Sequence, residues 1–140
     1  MNSTELAIGT RLPPLHTGDI TRHRIAMYAH GSGDLNPIHV DPDFAREKAG
    51  LPDVIVHGMY TMGMLSRLVT RWAGAGQVRS IDTRFGAMLP VHAALDCEGM
   101  IEAVEPAPGG SLVTVKLAAT QADGTAIATG SAVVFVAADR

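Results

Sequence analysis

At 140 residues, 46% hydrophobic and 18% charged, the chain suits one globular domain with a real buried core. A net charge of −3, with no Lys/Arg cluster to track a phosphate backbone, argues against a nucleic-acid binder. The lone cysteine, Cys97, excludes an intrachain disulfide and fits a reducing cytosol.

The opening residues, MNSTELAIGTRLPP, lack the basic start and apolar run of a signal peptide. No apolar stretch approaches the roughly 18 residues of a membrane span. With no internal repeat or linker, the expectation is a single domain over residues 1–140, cytoplasmic, with no membrane partner.

Residues 1–15 read as loose, because Pro13-Pro14 bars regular helix. His16 to Ile20 reads as a short edge strand. Thr21 is an N-cap for a helix that packs Ile25, Ala26, Tyr28 and Ala29 inward and ends at Gly31. Gly33 to His39 reads as a loop. Asp41-Pro42 then starts a short helix through Lys48, with the aspartate at N-cap and the proline at N1, closed by Gly50 and Pro52.

Val54-Ile55-Val56 leads into the main helix, His57 to Ala73, where Met59, Met62, Leu65, Val69 and Trp72 recur at helical spacing. Tyr60, Met64 and Leu68 make its other side apolar too, so the helix is expected to be buried and wrapped. The wrapper is four strands, Val78–Ala87, His92–Val104, Ser111–Gln121 and Thr125–Ala137. In the third, Val113, Val115, Leu117 and Ala119 alternate with polar residues, the period of a half-buried strand. In the last, Ala126, Ala128, Gly130, Ala132, Val134 and Val136 form a small-residue face that lets a helix approach. Asp123-Gly124 is a hairpin signal, and Pro108-Gly109-Gly110 reads as a longer loop. Helices followed by antiparallel strands imply an α+β domain, one helix wrapped by a sheet.

Between the two helical segments, Asp34 and His39 stand five residues apart around Asn36-Pro37. Two titratable groups of different basicity on a rigid segment can share one water, His39 taking its proton and Asp34 orienting it. The plainer reading is a surface turn in which Asp34 caps its own loop and His39 is exposed. Asn36 can bond the loop backbone or the water. Gly58 sits where the main helix begins, so its N–H is an unused donor at the positive dipole end, open to a thioester or ketone oxygen. A plain glycine at a helix start is the alternative there, and His57 reads as more structural than catalytic. No HExxH or CxxC pattern supports a metal, Gly31-Ser32-Gly33 lacks the Lys-Ser/Thr of a phosphate loop, and Ser66 fits no nucleophile elbow.

Ser32-Gly33-Asp34-Leu35-Asn36-Pro37-Ile38-His39-Val40-Asp41, then Phe44 and Ile55-Val56-His57-Gly58-Met59, resembles the MaoC-like (R)-specific enoyl hydratases. It is also similar to the catalytic subunit of the heterodimeric (3R)-hydroxyacyl-ACP dehydratases, extending into Thr61-Met62-Gly63 and Arg84-Phe85 through Pro90-Val91. The resemblance implies a hotdog fold and dimers whose sheets join, with an acyl-CoA or acyl-ACP thioester bound near the interface. It implies catalytic roles for Asp34 and His39, an oxyanion role for Gly58, and substrate contacts from Asn36, His57, Met59 and Ser66, with neither metal nor organic cofactor. His92-Ala93-Ala94 departs from the Gly-Asp usual after the Pro-Val. A non-catalytic scaffold subunit and a hotdog thioesterase are the rival readings. Arg79, Arg84 and Lys116 are the basic candidates for a phosphate-bearing carrier.

Overall fold

A computed structural model of the chain describes residues 6–138. It holds β1 Leu15–His16, α1 Arg22–Ser32, α2 Pro37–Val40, α3 Pro42–Glu47, α4 Gly58–Ala73, β2 Val78–Phe85, β3 Asp96–Ala107, β4 Gly110–Thr120 and β5 Ala126–Ala137. The strands form one antiparallel sheet in the order β1-β3-β4-β5-β2, with α4 lying against it and touching β2, β3, β4 and β5. This is the hotdog α+β architecture.

The α4 stripe Thr61, Leu65, Leu68 and Val69 is buried against Ile101, Val113, Val115, Ala132 and Val134 of the sheet. Leu65 and Val69 are fully enclosed, each stabilising the fold by about 1.5–3 kcal/mol through burial. Ala128 and Ala132, both at or below 1% exposure, admit the helix as their small size implies. The opposite side of α4 is more open than its apolar character suggests: Met59 is 55% exposed and Met62 and Met64 are only partly buried. One stripe of α4 suffices to cover the sheet of this chain, so the rest faces outward.

Several boundaries differ from the sequence expectations, each for a local reason. The expected strand His16–Ile20 shrinks to Leu15–His16, because Thr17 bonds Gly18 O and Gly18 takes φ 65. Helix α1 runs past Gly31 to Ser32, since Gly33, at φ 78, is the residue that caps it through its N–H to Ala29 O. Part of the expected loop Gly33–His39 is helical: Asn36 caps α2 and carries His39 on that turn.

The expected strand from His92 begins only at Asp96, because His92 turns into the left-handed region (φ 69) and donates to Ile20 O. Strand β2 stops at Phe85, two residues short of Ala87. Pro108-Gly109 is a tight two-residue turn, since Ala107 already pairs with Gly110. The looseness expected for residues 1–5 lies outside the described residues.

Candidate active site

The three short helices α1 to α3 fold over one end of α4, and their capping chemistry builds the site. The Ser32 hydroxyl accepts from Asp34 N–H (3.2 Å), and Asp34 Oδ1 accepts from Asn36 N–H (3.3 Å). This self-capped turn leaves Oδ2 free. Asn36 Oδ1 accepts from Ile38 N–H and starts α2, so its side chain serves the backbone of the loop. Asp41 then caps α3 by accepting from Asp43 and Phe44 N–H.

His39, only 7% exposed, is fixed from below. Its Nδ1 lies 2.7 Å from Ile55 O, a carbonyl that can only accept, so Nδ1 carries the hydrogen. The lone pair is therefore on Nε2, which faces Asp34 Oδ2 at 3.9 Å. That gap is too long for a direct hydrogen bond and suits a bridging water or a substrate oxygen. The Asp34 carboxylate is half exposed, at 52%. An imidazole base next to a carboxylate can move a proton between water and carbon.

His57 lies beneath this pair. It is 1% exposed, stacks on His39 with ring centroids 3.7 Å apart and 21° between planes, and places Nε2 3.1 Å from Asp34 O. Its Nδ1 is buried with no partner. Burial holds its pKa below the ordinary imidazole value, against the smaller upward pull of the Asp34 carbonyl. Tyr28 of α1 tilts against His57 (4.8 Å) and meets Tyr60 of α4 edge-on (5.4 Å). Burial, then the Asp34 charge, raises the Tyr28 pKa.

Gly58 opens α4, so its N–H is not used by the helix. Its missing side chain is not empty space: a Cβ there would meet the Phe85 ring at 3.3 Å. The glycine thus also permits β2 to pack against the start of α4. A cavity of about 120 Å³ lies between His39, Gly58, Thr61, Phe85, Leu89 and Ile127. An open groove of about 550 Å³ runs beside Met27, Tyr28, Ser32 and Tyr60.

Asp34, Asn36, His39, His57 and Gly58 are thus gathered at one end of α4, with Met59 exposed beside them. Ser66 is not with them: two turns along α4, roughly 12 Å away, its hydroxyl donates to Met62 O. Asp34, His39 and His57 offer ligand atoms within 4.8 Å of one another. His57 keeps a hydrogen on the Nε2 it turns to Asp34 O, so that nitrogen is not available as a ligand.

Three supporting features were not read from the sequence. They are the Ile55 carbonyl, the packing of Tyr28 against the histidines, and Asp53. Asp53 takes Arg22 bidentately (2.8 and 2.6 Å), Arg46 (3.1 Å) and Val54 N–H (2.7 Å), tying α1 and α3 to the segment that carries Ile55 and His57. Arg22 and Arg46, 31 and 7 residues before Asp53, carry no periodic signal that would have found this clamp.

Comparison with known proteins gives one family. The family model described as "MaoC like domain" matches residues 5–122. The 3-hydroxyacyl-thioester dehydratase Y of Mycobacterium tuberculosis is 41% identical over 68 residues, 46% of this chain and 23% of that relative. The chain spans as little as 3% of the curated relatives it matches. Among solved structures, the (R)-hydratase from A. caviae involved in PHA biosynthesis has a TM-score of 0.82 and 26% identity, covering 94% of this chain and 98% of that one. The ChsH1-ChsH2 complex from Mycobacterium tuberculosis gives 0.81 and 27%, covering 93% and 98%.

Proposed function

The chain belongs to the MaoC-like domain family, and on that premise we propose that it adds water reversibly across the C2–C3 double bond of a trans-2-enoyl thioester. The product is the (3R)-3-hydroxyacyl thioester. The observation that carries this reading is the Asp34/His39 pair, with the base nitrogen fixed as Nε2 by the bond from Nδ1 to Ile55 O.

In this reading a water sits between His39 Nε2 and Asp34 Oδ2. Its oxygen attacks C3 as His39 takes its proton, and the C2–C3 electron pair moves toward the thioester oxygen, which Gly58 N–H stabilises. The proton held by the pair returns to C2 on the same face as the new hydroxyl. Asn36 keeps α2 and hence His39 in place, and Met59 lines the mouth. The small cavity beside His39 and Gly58 gives an acyl chain an apolar place to lie. No metal or organic cofactor takes part.

The working assembly is a dimer, either of this chain or with a related hotdog subunit. Phe85 (48%), Met88 (63%) and Met59 (55%) are exposed around the mouth, and among the described residues the outer edge of β2 is unpaired. The solved ChsH1-ChsH2 complex supports the second alternative. A buried, unpaired Cys97 supports a cytoplasmic location. The carrier is CoA or ACP. Arg84 and Lys116 share the outer sheet face with Asp82 and Glu102, and Arg79 lies 5.3 Å over Phe135, so none of the three favours one carrier.

Loss of enoyl absorbance tests the reading, with crotonyl-CoA first, then longer and ACP-bound enoyl thioesters. Reversible hydration to the (3R) product is expected. Release of free thiol without hydration would replace it with thioesterase chemistry, and silence across the panel with the scaffold role.

A further inference from the structure

His57 is a buried titratable group that this mechanism leaves without a task. Fully enclosed, it neither meets solvent nor reaches into the water site. Yet it makes two specific contacts, one to each catalytic residue: Nε2 to the Asp34 carbonyl at 3.1 Å, and its ring face on His39 at 3.7 Å. The segment that carries it is itself anchored, with Ile55 N–H on Ile38 O and Val56 N–H on Leu89 O.

We propose that His57 is a positioning residue, a neutral imidazole clamp that holds the Asp34 backbone with its Nε2–H and supports the His39 ring with its face. This rests on the hydratase reading of the same site. Phenylalanine would keep the ring and lose the donor, and glutamine would keep the donor and lose the ring.

The orphaned Nδ1 is the telling detail. A buried acceptor without a donor costs the fold stability. The Asp34 turn is exposed, so water could serve its carbonyl if the histidine were absent. Fold stability alone would therefore favour phenylalanine here. The imidazole is accounted for by what it does to its two neighbours.

The clamp also stays neutral. A second proton at Nδ1 would find no acceptor, and the titratable groups around the ring are His39, Asp34, Tyr28 from α1 and Tyr60 from α4. His57 turns to the Asp34 carbonyl rather than to its carboxylate. His57 thus supports the base without competing for its proton.

The test compares His57→Phe and His57→Gln with the wild-type protein. His57→Phe is expected to lower kcat by about 100-fold, the scale of a displaced catalytic group, with KM nearly unchanged and Tm equal or higher. His57→Gln should fall between the two. Long-range ¹⁵N NMR should show wild-type His39 protonated at Nδ1 and His57 at Nε2. In His57→Phe the His39 tautomer, held by Ile55 O, should persist, while the backbone amides of the turn 34–36 shift and exchange faster as the Asp34 carbonyl is released. Wild-type kcat with unshifted amides in that turn would overturn the proposal. So would a loss of activity that only follows a loss of folded protein. If the wild-type protein hydrates none of the enoyl thioesters, the reaction falls, and the amide measurement decides the clamp by itself.

Discussion

Replacing His39 by asparagine separates its chemistry from its structural bond. The Asn side-chain NH₂ falls close to the place of Nδ1, so the 2.7 Å bond to Ile55 O can be kept while the Nε2 lone pair is removed. Losing a general base costs about 10²–10⁴ in rate, or about 3–5 kcal/mol of barrier. The fold should lose far less. The carbonyl stays satisfied, and the void left above His57 at this 7%-exposed position is a few atoms in size. A loss of about 1 kcal/mol would lower Tm by roughly 4 °C for a chain of this size. The assay pairs steady-state hydration of the best enoyl thioester with thermal melting by circular dichroism. His39→Asn retaining more than about a tenth of kcat would refute His39 as the base. A collapse of Tm would instead refute the claim that the Ile55 bond can be preserved.

Three further outcomes follow from particular contacts. Gly58→Ala would put a Cβ 3.3 Å from Phe85 and should cost about 1–3 kcal/mol, with the double variant Gly58→Ala/Phe85→Ala less impaired than the sum of its parts; strict additivity in denaturant unfolding would remove the argument. Arg22, foremost, holds the Asp53 carboxyl well below the usual carboxylate range. A depressed pKa stabilises the fold above the unfolded value, about 3.9, and that contribution is lost as pH falls below it toward the folded value. The Tm gap between wild type and Asp53→Asn should accordingly be full at neutral pH and close in acid, and a gap independent of pH would contradict this. His92 sits at φ 69, so His92→Gly should raise Tm by relieving about 1–2 kcal/mol of left-handed strain, less the entropy a glycine loses on folding.

Local sequence determined a good deal of this protein. The alternation Val113, Val115, Leu117, Ala119 is the buried face of β4, because strand periodicity is a property of the backbone. Thr21, Asp41 and the Pro42 start of α3 cap where their side chains require. The run from Ser32 to Asp41 and the His57-Gly58 pair stand out in the sequence as a candidate site, since short polar groups between apolar elements are visible in one dimension.

What tertiary structure alone decided is orientation. The sequence could leave Asp34 as a mere turn cap and His39 as an exposed side chain. The fold makes Asp34 both a cap and a free oxygen, and gives His39 a single tautomer by bringing in a carbonyl sixteen residues away. Ser66, alike in sequence to a pocket serine, is occupied by its own helix, while Tyr28, Asp53 and Phe85 reach the site from α1, the α3–α4 connection and β2. Helix and strand periods encode which face of an element is buried. The atom that meets a given nitrogen is fixed only when elements distant in the chain pack together, and at this site that decides which nitrogen carries the proton.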